Sequence, residues 1–272
     1  MSKKQEKINK NVSIYTPKTP KNSKRFAAWV VDMILIIVVA TGIAFLTSLL
    51  YGYDNYNNTC IEKEIEYGLY VEQEKGPISF EGKNYVVITE IEGISEEEVN
   101  QRLTNLSKDK EYVIANQKRN LGPVIIVTMG LTGSLLIFEL IIPLCLKHGR
   151  TIGMRFFDIG YVTDEGIEVG FKQLFIRFLF GKLIVQGLIP FAGLMYIIIP
   201  SYFTIVGVVA LLGVPILNMV LMYITPEKRG IHDFIAKCVP VDNSCQIYFK
   251  TVDELSKAKA EEERNKNERK YY

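Results

Sequence analysis

Residues 24–50 read "KRFAAWVVDMILIIVVATGIAFLTSLL". From Phe26 to Leu50 the stretch carries a single charge, Asp32, and Arg25 stands at its mouth. A run of more than ~18 residues almost free of charge is long enough to span hydrocarbon, because ~20 helical residues at 1.5 Å each cover a bilayer core. The stretch therefore reads as a transmembrane helix. Its carboxylate sets the problem: an ionised acid in hydrocarbon costs several kcal/mol, so it is paired, protonated or lining an aqueous cavity.

Three further runs have the same character. Leu121–Leu146 is interrupted only by Glu139, Leu174–Ile199 carries Arg177 and Lys182 in its first half, and Tyr202–Ile224 has no charge. The averages, 48% hydrophobic residues and a mean hydropathy of +0.13, also fit a soluble helical bundle with buried helices. The concentration of apolar residues into four long runs argues for membrane spans instead. The first run is too long for the apolar region of a secretory signal, and no small-residue cleavage site follows it, so it reads as retained.

Lysine and arginine near the spans set orientation. Residues 1–24 hold seven lysines against the single acid Glu6. Residues 51–120 hold fourteen acids against eight bases, a net of −6. The tail reads as cytoplasmic and the acidic segment as extracytoplasmic. The chain returns to a cytoplasmic loop over 147–173, and both termini fall in the cytoplasm, with residues 225–272 ending in a charged helical tail from Asp253. The outer segment is expected to fold as a small α+β unit. Asn84–Gly93 has strand composition; Ser95 and Glu98 make a capping box; Val99, Leu103 and Leu106 follow at helical spacing. The expected fold class is an all-α, four-transmembrane-helix bundle with a small α+β extracytoplasmic insertion and a short cytoplasmic β-sheet.

A net charge of +2 gives no argument for nucleic acid. Four scattered cysteines imply no disulfide framework. Two histidines, His148 and His232, are too few and too far apart for a zinc site. No phosphate loop, nucleophile elbow or acid–base constellation is visible, so neither a cofactor nor an enzymatic activity is expected.

The intramembrane charges carry what functional signal there is. Arg25, Ala28 and Asp32 share one helix face, with Asp32 roughly 10 Å deeper than Arg25, too far for direct pairing on a straight helix. Arg25 is then expected to reach lipid phosphate or to snorkel. Glu139 and Lys182 fall at a similar depth if the spans run as drawn. Asp32 and Glu139 either face an inner cavity as a proton or cation site with Lys182 as counter-charge, or pin helices together as ion pairs. A third reading lays 171–182 in the interface, with Phe171, Leu174, Phe175, Phe178 and Leu179 opposite Lys172, Gln173 and Arg177, and a bend at Gly181. Gly187, Pro190, Gly213 and Pro215 mark weak points at which transporter helices break.

On the inner side, Asp158–Gly170 reads as two short strands around the turn Asp164-Glu165-Gly166, and Ala236–Val241 as a third. Arg150, Arg155, Arg229 and Asp233 are expected near the headgroups.

"RFAAWVVD" behind a basic tail, "HGRTIGMRFFDIGYVTDEGIEV" after the second run and "EKRGIHDFIAKCVPV" after the fourth together resemble the RDD family of membrane proteins. The family's arginine and first aspartate match Arg25 and Asp32; its second aspartate maps onto Asp233, preceded by His232. Its Gly-Arg-Thr-x-Gly-Lys motif appears as Gly149, Arg150, Thr151, Ile152 and Gly153, with Met154 where lysine is usual. The resemblance covers about 24–50 and 121–241, with 51–120 as an insertion. It implies a protein of the lipid bilayer suspected of transport, with cation/proton antiport associated with some members. A monovalent cation and protons are thus the implied partners, and so short a bundle suggests a homo-oligomer. The alternative is an anchor or scaffold whose outer segment binds a partner.

Overall fold

The computed structural model describes residues 17–91, 93–189 and 207–268. Residues 1–16, 190–206 and 269–272 lie outside the described residues, and with them Pro190, most of the basic tail, the end of the third run and the start of the fourth. The chain divides into two units, one formed by Met1–Ala40 with Leu131–Tyr272 and the other by Thr41–Gly130. The fold is mostly helical, with two long apolar helices and small antiparallel sheets.

The first long helix, α1 (Asn22–Tyr51), buries Arg25, Ala28, Asp32 and Ile36, one stripe at helical spacing. Ile34, Ile37, Val38, Phe45 and Leu46 face outward. That is the inverse of a soluble core helix, in which isoleucines turn inward and charges meet water. Only 6% of its most apolar window is buried, and such a surface fits lipid. Arg25 is buried and does not reach outward for lipid phosphate. Its position on the Asp32 stripe turns it toward the protein.

In the Thr41–Gly130 unit, α2 (Tyr53–Glu66) precedes the strands β1 (Tyr70–Gln73), β2 (Ile78–Phe80) and β3 (Lys83–Val87), which form a sheet in the order β1-β3-β2. The expected strand from Asn84 stops at Val87, where the chain enters a 3₁₀ turn, Ile88–Glu90. In α3 (Glu96–Leu106) half of the expected capping box forms: Glu98 N donates to Ser95 Oγ at 3.2 Å, but the Glu98 carboxylate turns to Arg102 instead of the Ser95 backbone N–H. Leu69, Ile88 and Leu106 make the core, with Val99 packed beside them; Leu103 stays exposed.

The second long helix, α4 (Lys110–Cys145), starts well before the apolar run at Leu121 and widens to π geometry over Ile137–Ile141, around Glu139. A short α5 (Ile152–Phe156) leads into β4 (Ile159–Thr163). Next, α6 opens at Phe171–Ile176 and continues in π geometry over Arg177–Leu188. Its Leu174 and Phe178 turn inward, whereas Phe171 and Phe175 stack on each other outside at 5.8 Å. Helical dihedrals hold at Ile176, Arg177 and Ile189, so the element continues past Gly181 as a helix. Gly181 serves another purpose: a Cβ there would collide with the Cβ of His232. The described part of the fourth run is α7, π-helical over Val209–Gly213 and α-helical over Val214–Ile224. Two helices, α1 and α4, are long and apolar enough to cross a membrane among the described residues.

After α7 come α8 (Ile231–Ile235), β5 (Cys238–Asp242) and the solvated α9 (Val252–Glu268). Strands β4 and β5 pair antiparallel, with Tyr161 opposite Pro240 and Val162 opposite Val239. The second of the three expected inner strands does not form: Ile167 and Glu168 make only single bridges, to Phe249 and Val162. Gly166 (φ +84°) turns the chain and Gly170 already caps α6, which leaves too little chain for a strand. Ile36, Leu135, Phe138, Leu140 and Phe178 form the apolar core between α1, α4 and α6.

Candidate functional site

The site is built where α1, α4, α6 and α8 bring buried charges together. Arg25 on α1 donates through Nη2 to Asp233 Oδ2 at 3.1 Å. Arg177 on α6 donates through Nε to the other oxygen, Oδ1, at 3.3 Å, and through Nη2 to the Tyr161 hydroxyl at 2.9 Å. Its guanidinium also lies 4.4 Å from the centre of the Tyr161 ring. Asp233 accepts a third bond, 3.1 Å from the backbone N–H of Gly230, and so closes the first turn of α8. Arg177 is 1% exposed and Asp233 fully buried.

One step along α6, Lys182 Nζ lies 2.9 Å from Glu139 Oε1, while Arg177 Nη1 stands 3.7 Å from Glu139 Oε2. Both residues occupy the widened π segments, a backbone form often found at functional sites. Glu139 Oε2, Arg177 Nη1 and Arg25 Nη1 are buried and make no hydrogen bond among the described residues.

Asp32 is engaged differently. Thr151 Oγ1 donates to its Oδ2 at 2.5 Å and the backbone N–H of Gly153 to its Oδ1 at 2.8 Å. Thr151 is at the same time the N-cap of α5, accepting from Met154 N at 3.2 Å. Gly153 has no room for a side chain, because a Cβ would strike the Ala28 carbonyl oxygen. Gly149, at φ +63°, sets the turn before this cap, and a Cβ there would press on Val169 and Leu174. Arg150 stays outside the cluster, donating to the Lys147 carbonyl at 2.9 Å. Met154, where the family usually has lysine, packs with Tyr161, Ala236 and Cys238. Of the residues expected near the headgroups, Arg155 is exposed. Asp233 lies at the centre of the cluster, and Arg229 is buried against Asp164 and Glu227.

Electrostatics outside the spans follow from burial. Desolvation pushes the His232 imidazole down to about 4, so it is neutral at pH 7, with Nε2 3.1 Å from Asp233 Oδ1. Burial opposes ionisation of Asp233, but His232 and the guanidiniums of Arg25 and Arg177 more than reverse it and hold the carboxyl well below its usual range. Burial raises the Tyr161 phenol, which keeps its proton. The described cluster thus balances Arg25, Arg177 and Lys182 against Asp32, Glu139 and Asp233.

Span depth and helix face single out Asp32, Glu139, Lys182 and Arg25, and the family resemblance adds His232 and Asp233; the structure brings all of them into this region. The sequence reading passes over Arg177 and Tyr161. The available signal was an arginine inside an apolar run, which on average faces a bundle interior rather than the interface.

A helical protein that turns isoleucines outward and collects a balanced set of charges inside belongs with membrane proteins. More narrowly, the chain belongs to the RDD family, whose model matches residues 19–237. No curated protein and no solved structure matches it.

Proposed function

We propose that this RDD protein crosses the membrane four times with both ends in the cytoplasm, and exchanges a small monovalent cation for a proton. It has no enzymatic role in this reading. The observation that carries it is the Glu139–Lys182 pair, a buried carboxylate and ammonium 2.9 Å apart within apolar helices, with Glu139 Oε2 accepting no hydrogen bond among the described residues. Ionisable groups at such depth commonly mark ion pathways. Asp32 receives bonds on both oxygens from Thr151 and Gly153, so the cation-meeting role passes to Glu139 and Asp32 holds α1 to α5.

The topology is supported by bonds at one end of the inner unit. Asp242 N donates to Lys18 O at 2.7 Å, Lys24 pairs with Asp242, Arg25 with Asp233, and Lys228 donates to Pro20 O at 3.0 Å. These join the start of α1 to the segment after α7, as an even number of crossings requires. The lysines and arginines there favour the cytoplasmic side.

The test is proton movement on adding Na⁺, K⁺ or Li⁺ to vesicles carrying the wild type or Glu139→Gln. Wild type should move protons with at least one cation and the variant at least tenfold less, with both folded by melting in detergent. Silence of the wild type with all three cations would sink the exchange reading. A second reading, an anchor whose outer unit binds a partner, rests on that unit having its own core of Leu69, Ile88 and Leu106. It predicts that cells tolerate Glu139→Gln but not loss of residues 53–120.

A further inference from the structure

Of the groups in the buried cluster, Lys182 alone combines a releasable proton with a contact of 2.9 Å to the Glu139 carboxylate among the described residues. Arg25 and Arg177 release none, because a guanidinium stays protonated in proteins. Asp233 already receives three donors, from Arg25, Arg177 and Gly230, and has no proton to release. Asp32 bonds through both oxygens to Thr151 and to the backbone N–H of Gly153, on the α5 side and not at the Glu139–Lys182 contact. Glu139 faces Lys182 and Arg177 and is the counter-ion of both. His232 is neutral before any cation enters. Lys182 remains.

We infer that the proton exchanged by this protein is carried by the ammonium of Lys182 rather than by a carboxyl group. The inference rests on the exchange reading above and names the group that couples it. A monovalent cation entering at Glu139 takes the carboxylate from Lys182. An N–H bond of the ammonium breaks, the nitrogen keeps the electron pair, and the proton leaves to water. The balance is Lys–NH₃⁺···⁻O₂C–Glu plus M⁺ giving Lys–NH₂ plus M⁺···⁻O₂C–Glu plus H⁺. The cluster's charge is the same before and after, so no uncompensated charge is ever left in a low-dielectric interior, where it would cost several kcal/mol. The groups acting on Lys182 are Glu139 from α4, Arg177 on its own helix, Asp32 from α1 and His232 with Asp233 from α8. Arg177 keeps its charge as a guanidinium, Asp233 is held ionised by its donors, and burial keeps His232 neutral. Lysine is the basic residue whose proton is labile on burial, which is why arginine cannot substitute for it here.

Two substitutions separate this from a carboxyl-based exchange. Lys182→Arg keeps the charge and cannot release it. Lys182→Gln removes both charge and proton and leaves Glu139 free to hold a cation. With purified full-length protein in weakly buffered detergent, Na⁺, K⁺ or Li⁺ added to the wild type should release close to one proton per bound cation. Lys182→Arg should release none and bind the cation at least tenfold more weakly. Lys182→Gln should bind it with no proton released, and in vesicles its uptake should follow the membrane potential rather than a pH gradient. Folding of each variant is checked by melting and gel filtration. If either folded variant still releases protons as the wild type does, the proton comes from a carboxyl group and the inference is overturned while exchange stands. If the wild type neither binds a cation nor releases a proton, exchange fails as well.

Discussion

At the scale of single residues, the protein is organised around Arg177 and Asp233. Three donors converge on one carboxylate, and removing a partner from such a buried pair typically costs about 3–5 kcal/mol, because the other charge is stranded. His232 adds a pH dependence whose sign is fixed. Its folded value, about 4, lies below the ordinary 6.5, so between those limits the unfolded chain binds a proton that the folded protein refuses. Its contribution is absent above pH 6.5, and stability falls as pH drops from 6.5 to 4, by at most about 3 kcal/mol. The Asp233 contribution is present above 3.8 and is lost only at still lower pH. Melting in detergent across pH 4–7 should therefore show a slope that His232→Gln flattens. An unchanged slope in that variant would mean that other groups carry the dependence.

At the scale of elements, Thr151 does two jobs with one hydroxyl: it caps α5 and donates to Asp32, so that a five-residue helix is held against α1. A helix this short has little stability of its own, so its position depends on such anchors. Thr151→Val keeps the shape and loses both bonds. It should cost about 2–3 kcal/mol, the sum of a lost cap and an unsatisfied buried acceptor. Thr151→Ser should recover most of this. The measurement is thermal unfolding, with proteolysis of the 147–158 segment as the local readout. Gly149, Arg150 and Thr151 were legible as a family motif, but not the turn and helix cap that they form. That Asp32, more than a hundred residues earlier, accepts from Thr151 was not legible either, because nothing local couples the two.

For the whole molecule, the distribution of charge makes a topological claim. Single cysteines placed at Glu97 and at Glu165, in a background lacking the four native ones, should label from outside and only after permeabilisation, respectively. Labelling of Glu165→Cys in sealed cells would reverse the orientation and the placement of the RDD motifs with it. The Thr41–Gly130 unit also shows how local patterns succeed and fail. The Ser95–Glu98 cap formed because its partners are three residues apart. The strand read to Gly93 ended at Val87 because its pairing with β1 and β2 runs out there.

The sequence alone determined what depends on composition and near neighbours: long apolar helices, an acidic folded insertion, the turn at Gly166, and an acid on the buried stripe of α1. Membership of the RDD family was legible as well, since it rests on motifs in order. Tertiary structure decided the partners of the charges. Arg25, read as a residue for lipid phosphate, went instead to Asp233, and Arg177, read as part of a polar outer face, became the hub of the cluster. A charge in an apolar helix must find a counter-charge, but which one it finds depends on how distant helices pack, and Coulomb attraction in a dry interior leaves no sequence spacing to read.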